Sequence, residues 1–212
     1  MVAALPQVKS CADRVLLSHI DWSQFEQILD GLGNHRTARV AYDSGRLEIM
    51  VPLPEHEGFK EYISDSIKDI ADELDIDYAS YGSTTWRKEL EKAGLEPDNC
   101  FYFQNEPKVR GRFDLDIAKG DPPPDLALEI DVTSKSLDRF PIYARLGVPE
   151  LWCYDSGNLK VYHLKQGKYV ESEESLALPS LPVQDLPNII ELNRASGQRA
   201  IRRAVRAWVR NH

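Results

Sequence analysis

Residues 125–132, Asp-Leu-Ala-Leu-Glu-Ile-Asp-Val, decide how this chain folds. Three prolines precede the run and Thr133-Ser134 follows it, so it is a short apolar segment between breakers, the pattern of a buried strand. Side chains of a strand alternate between faces. Leu126, Leu128, Ile130 and Val132 therefore share one face, and Asp125, Ala127, Glu129 and Asp131 share the other. Carboxylates lined up on a buried strand repel one another and are costly to desolvate. Either that face is wet, or something positive compensates it: arginines, a metal ion, or both. A hard divalent cation such as Mg²⁺ or Mn²⁺, held by carboxylates, water and a substrate phosphate, meets the requirement economically.

Downstream, residues 136–147 (SLDRFPIYARLG) have helical spacing, with Pro141 tolerated only in the first turn and Gly147 as the stop. Residues 149–155 and 159–164 read as two strands around Asp155-Ser156-Gly157, and 167–172 adds a third. Upstream, 96–103 (EPDNCFYF) is a strand, and 78–90 is strand material. Phe59, Ile63, Ile67, Ile70, Ala71 and Leu74 recur at helical spacing, which predicts a helix over about 55–74. Residues 37–42 and 46–51 form a hairpin around Asp43-Ser44-Gly45. A short helix begins after Asp21, its N-cap, and stops at Gly31 and Gly33. The order predicts an α/β fold with a mixed central sheet flanked by helices, an N-terminal hairpin and a C-terminal helix.

A chain of 212 residues supports one domain with a real core. No apolar stretch approaches the roughly 20 residues of a membrane helix, and the N-terminus lacks the apolar region of a signal peptide. Cys11, Cys100 and Cys153 are scattered and odd in number, as expected of idle thiols in a reducing cytoplasm. The net charge of −8 argues against a nucleic-acid coat protein. Basic residues are gathered locally, however. After Glu191 the chain holds Arg194, Arg199, Arg202, Arg203, Arg206 and Arg210 and no acid. Residues 194–210 form an amphipathic helix with Ile201, Val205, Trp208 and Val209 on one face. The arginines on the other (Arg199, Arg202, Arg203 and Arg206 among them) contact nucleic-acid phosphates, pair with the acidic body, or meet a second subunit.

Asp98 follows a proline at the opening of an aromatic strand. One acid there, then two acids flanking one residue in a later buried strand, resembles the PD-(D/E)XK nuclease pattern, in which Asp and Glu hold metal and a lysine helps activate water. The resemblance becomes specific at 124–134 (Pro-Asp-Leu-x-Leu-Glu-Ile-x-x-Thr-Ser) and at 143–152 (Tyr-Ala-Arg-Leu-Gly-Val-Pro-Glu-Leu-Trp). With 47–56 and Glu96-Pro-Asp98, these segments are similar to the Uma-type family of putative restriction endonucleases, over roughly residues 20–185. That divides the chain into a lead-in (1–20), a nuclease-like domain (21–185) and an Arg-rich C-terminal helix (186–212).

The resemblance implies a restriction-endonuclease-like fold and a Mg²⁺- or Mn²⁺-dependent endonuclease acting on DNA as a homodimer, without membrane or organic cofactor. Asp98 matches the first metal-binding acid and Glu129 the second, with Asp131 and Glu48 completing the acidic cluster. Asp131 stands where the superfamily pattern has lysine. The basic residue the family carries on the following helix corresponds to Arg139, with Lys135 as second candidate. Arginine supplies fixed charge to a phosphoryl transition state, but its pKa is too high for a base. The alternative is a catalytically silent domain of this fold that binds DNA or a protein. Glu48 and His56 lie near the site by the family pattern, or are a surface acid and a helix-start histidine by the plainer reading. Glu61 and Asp65 are expected in solvent, and Trp86, Trp152 and His163 in structural positions.

Overall fold

Asp21 starts the first helix by a reciprocal cap: its carboxylate accepts from Gln24 N at 2.8 Å, and the Gln24 side chain accepts from Asp21 N at 2.9 Å. The computed structural model describes residues 13–33, 37–130 and 136–212. Strand β1 (Asp13–Ser18) precedes that helix, α1 (Trp22–Leu32). The hairpin β2 (Arg39–Asp43) and β3 (Arg46–Val51) follows, and then the long helix α2 (Pro54–Glu73), with its proline in the first turn. Short strands β4 (Ala79–Ser80), β5 (Trp86–Lys88) and β6 (Ala93–Leu95) lead to β7 (Asn99–Tyr102) and the one-turn helix α3 (Glu106–Val109). The second half runs β8 (Leu126–Ile130), α4 (Phe140–Leu146), β9 (Glu150–Asp155), β10 (Asn158–Lys165), β11 (Lys168–Ser172), α5 (Leu186–Arg194) and α6 (Gln198–Val209).

The strands divide into two sheets instead of one. The first has the order β1-β3-β2-β6-β5, the second β11-β10-β9-β8-β7-β4. Among the described residues only β8 and β9 are parallel neighbours, joined through α4, and the other pairs are antiparallel. The mixed α/β order read from sequence therefore holds. β1 extends the edge of the first sheet along β3 from Asp13↔Val51 to Ser18↔Arg46, inside the stretch expected to be lead-in. Four of its six residues are exposed and none is buried, so its hydrophobic alternation is weak and edge pairing alone defines it.

The second sheet is covered on both faces. Leu126, Leu128 and Ile130 of β8 pack with Trp152 and Val161 against Ile63, Ile67 and Ile70 of α2 and against Ile190, Ile201 and Val205 from the C-terminal helices. Ala127, Cys100, Tyr102, Leu151 and Cys153 pack on the opposite side with α4 (Ile142, Tyr143, Leu146) and with Ala41, Trp86, Ala93 and Leu95 of the first sheet. Trp86 and Trp152 are thus core residues. The C-terminal segment is two helices, broken at Gly197, whose φ of +89° a side chain would resist. No helix among the described residues is long and apolar enough to cross a membrane.

Candidate active site

Glu96-Pro97-Asp98 is where the chain leaves one sheet for the other. Glu96 is held to the first sheet: its N–H donates to Val40 O at 3.0 Å, and its carboxylate accepts from Val40 N at 3.2 Å and from Thr85 Oγ1 at 2.6 Å. Asp98 is held to the second, its N–H donating to Leu128 O at 3.2 Å and its Oδ2 accepting from Ile130 N at 2.8 Å. β7 pairs with β8 as Asn99↔Leu128, Cys100↔Ala127 and Phe101↔Leu126, and continuing that register sets Asp98 opposite Glu129. Each is 1% exposed. The alternation of β8 explains Glu129: Leu128 and Ile130 face the α2 core, so Glu129 faces the seam between the sheets.

α4 brings the cation. Arg139, at its N-cap, is 2% exposed. Its Nη1 donates to Glu129 Oε1 at 3.3 Å and to Glu96 O at 3.1 Å, and its Nη2 donates to Glu48 Oε1 at 3.2 Å. One helical turn on, the Tyr143 hydroxyl donates to the same Glu129 Oε1. Glu48 reaches the seam from β3, where it stands opposite Ala41 of the same core, and its Oε2 accepts from Ser136 N at 2.6 Å. Glu48 is thus a buried acid and not a surface one. Arg145 ties the other end of α4 to the β2–β3 turn, donating to Asp43 Oδ1 at 2.6 Å and to Ser44 Oγ at 3.0 Å.

Burial opposes the charge on Arg139, but Glu129, Tyr143, Asp98 and Glu48 outweigh it and push its pKa upward. Burial first, and then Glu129, push the Tyr143 phenol well above its ordinary value, so it remains a donor. His56, in the first turn of α2, is 6% exposed and sets Nε2 3.2 Å from Asp98 Oδ2.

The structure thus brings together Asp98, Glu129, Glu48 and Arg139. Asp131 and Lys135 lie outside the described residues. Asp125, on the same strand face as Glu129 by alternation, caps a turn: its carboxylate accepts from Phe103 N, Asn105 N and Asn105 Nδ2 at 2.8, 2.8 and 2.6 Å. Of the C-terminal arginines, Arg202 and Arg206 bind Asp69 of α2, while Arg199 and Arg203 are exposed. The sequence reading missed Tyr143 as a partner of Glu129; its spacing of four from Arg139 on one helix was the available signal. It also missed Asp69, one turn beyond Asp65 on a helix face taken as polar.

Carboxylate oxygens are the donors that hard divalent cations take, and the chemistry of Asp98 and Glu129 fits such an ion. Among the described residues no three His, Cys, Asp or Glu side chains converge as a complete cage. Mg²⁺-type sites commonly have few protein ligands and rely on water and substrate oxygens, so a partial set is compatible with one. A groove of about 850 Å³, lined by Leu159, Glu173 and Pro182, carries none of the site residues.

The family model Uma2, described as a putative restriction endonuclease, matches residues 22–195. A solved structure of a putative nuclease belonging to DUF820, from Anabaena variabilis ATCC 29413, is 14% identical with a TM-score of 0.44, over 80% of this chain and 90% of that one. No curated protein matches. With most of its length covered by the family model, the chain belongs to the Uma2 family of putative restriction endonucleases.

Proposed function

We propose that this protein is a divalent-metal-dependent endonuclease that hydrolyses DNA phosphodiester bonds, with Asp98 and Glu129 holding Mg²⁺ or Mn²⁺. The observation that carries the reading is the placement of two buried carboxylates opposite each other on neighbouring strands, beside a buried arginine. Asp131, two residues beyond Glu129, is the further carboxylate of the set. A bound divalent cation supplies Lewis acidity at the phosphodiester and makes water a usable nucleophile at neutral pH.

The chain's own residues orient and balance the site. Tyr143 and Arg139 both donate to Glu129 Oε1, which leaves that carboxylate one orientation. Arg139 carries permanent charge and is no base. Because it is buried and faces Glu129 and Glu48, it acts on a bound phosphate through its field and not by contact. Lys135 is the second cation assigned to the phosphate. Glu48 holds Arg139 on one oxygen and Ser136 N on the other, fixing the entry to α4. Arg199 and Arg203 are the exposed C-terminal arginines that remain for DNA phosphates. Cutting both strands takes two sites, and a homodimer is the proposed assembly.

Nicking of supercoiled plasmid tests the reading. Cleavage that requires Mn²⁺ or Mg²⁺ and disappears in both Asp98→Ala and Glu129→Ala is expected. Activity surviving both substitutions would sink the site assignment. Cation binding without cleavage would move the reading to a catalytically silent nuclease-fold module that binds DNA or a protein, which Asp131 at the lysine position favours.

A further inference from the structure

His56 is buried with no hydrogen bond to either ring nitrogen among the described residues. An imidazole buried in that way has lost its water without gaining an aligned hydrogen bond, which costs free energy unless something else occupies a nitrogen. Its Nε2 lies 3.2 Å from Asp98 Oδ2, yet the two atoms are not aligned as donor and acceptor. Neighbouring ligands of an octahedral cation with bonds of about 2.1 Å stand about 3.0 Å apart. The observed separation is close to that value, and misalignment is expected of two atoms that face a common ion instead of each other. On the far side of the ring, Nδ1 lies 3.9 Å from Glu57 Oε1, too far for a hydrogen bond.

We propose that His56 Nε2 and Asp98 Oδ2 form one edge of the cation site, and that this nitrogen donor makes the site take Mn²⁺ in preference to Mg²⁺. Imidazole is a ligand for first-row transition metals, whereas Mg²⁺ keeps to oxygen. The inference rests on the cation-binding role proposed above for Asp98.

The test is pulsed electron paramagnetic resonance on the full-length protein loaded with Mn²⁺, alongside calorimetric titration with Mn²⁺ and Mg²⁺. Electron spin-echo modulation from a coordinated ¹⁴N is expected in the wild type and absent in His56→Gln, with Mn²⁺ affinity lowered about tenfold or more and Mg²⁺ affinity changed less. The wild-type spectrum decides the matter even where the variant fails to fold. Bound Mn²⁺ without ¹⁴N modulation, or modulation that persists in His56→Gln, overturns the role of His56. If Asp98→Asn still abolishes binding in that case, the cation reading stands without the histidine. A wild type that binds no Mn²⁺ overturns both.

Discussion

The carboxylates buried beside arginine at Asp69 and at the seam between the sheets differ in the balance of charge. At Asp69, one carboxylate on α2 receives Arg202 at 2.9 and 2.8 Å and Arg206 at 2.8 and 2.6 Å. Two guanidiniums converge on this acid, Arg206 also reaches Asp72 at 3.4 Å and Glu73 at 3.5 Å, and both arginines are partly exposed, so the charge here is matched and solvated. At the seam, one guanidinium faces Glu129 and Glu48 with Asp98 nearby, and acids outnumber arginines among the described residues. The first arrangement is complete and attaches a helix. Among the described residues the second has more acids than arginines in a place with little water, which is the condition under which a bound cation stabilises a fold.

The comparison breaks most visibly at Arg139. Arg139→Met leaves buried acids facing each other and is expected to cost about 3–5 kcal/mol in denaturant unfolding; a loss below 1 kcal/mol would mean the cluster is better hydrated than its burial indicates. Tyr143→Phe removes one charge-assisted bond from Glu129, for an expected loss of about 1.5–3 kcal/mol on the same measurement. The sharpest contrast is one of sign. Asp69→Asn should destabilise by about 1–2 kcal/mol, discounted because its partners are partly exposed. Asp98→Asn, which relieves the surplus, should stabilise the metal-free protein by about 0.5–2 kcal/mol, as substitutions at strained functional sites commonly do. Loss of stability in both would remove the distinction between the two clusters.

The smallest effect concerns pH. Burial works against the charge on Asp69, but hydrogen bonds from Arg202 and Arg206 outweigh it and hold its pKa below the ordinary 3.8. A depressed carboxylate pKa stabilises the fold above the unfolded value and loses that contribution as pH falls through the folded one. The stability gap between wild type and Asp69→Asn should therefore be constant near neutrality and close below about pH 4. Acid titration of thermal melting for the two proteins measures it.

Much of the local structure was legible because it depends on neighbours in the chain. Asp21 and Gln24 are three residues apart and cap α1 reciprocally, and Pro141 and Gly147 bound α4 within seven residues. The faces of β8 followed from alternation alone, which marked Glu129, while Asp98 and both ligand roles came from the resemblance to the nuclease pattern, before the opposition across β7 and β8 was visible. The plainer reading of Glu48 as a surface acid had no local signal against it, since a hairpin strand with one polar face looks the same from sequence.

What the sequence determined by itself was therefore the set of elements, their apolar faces and the acids embedded in them, all consequences of short-range geometry. The tertiary structure decided which distant groups share charge. Glu48 meets Arg139 across 91 positions, and Asp69 meets Arg202 across 133. It also decided that the strands form two sheets, and that the segment Glu96-Pro97-Asp98 crosses between them. No periodicity encodes these pairings, because the desolvation and attraction that select them exist only once both sheets and α4 have closed over the same seam.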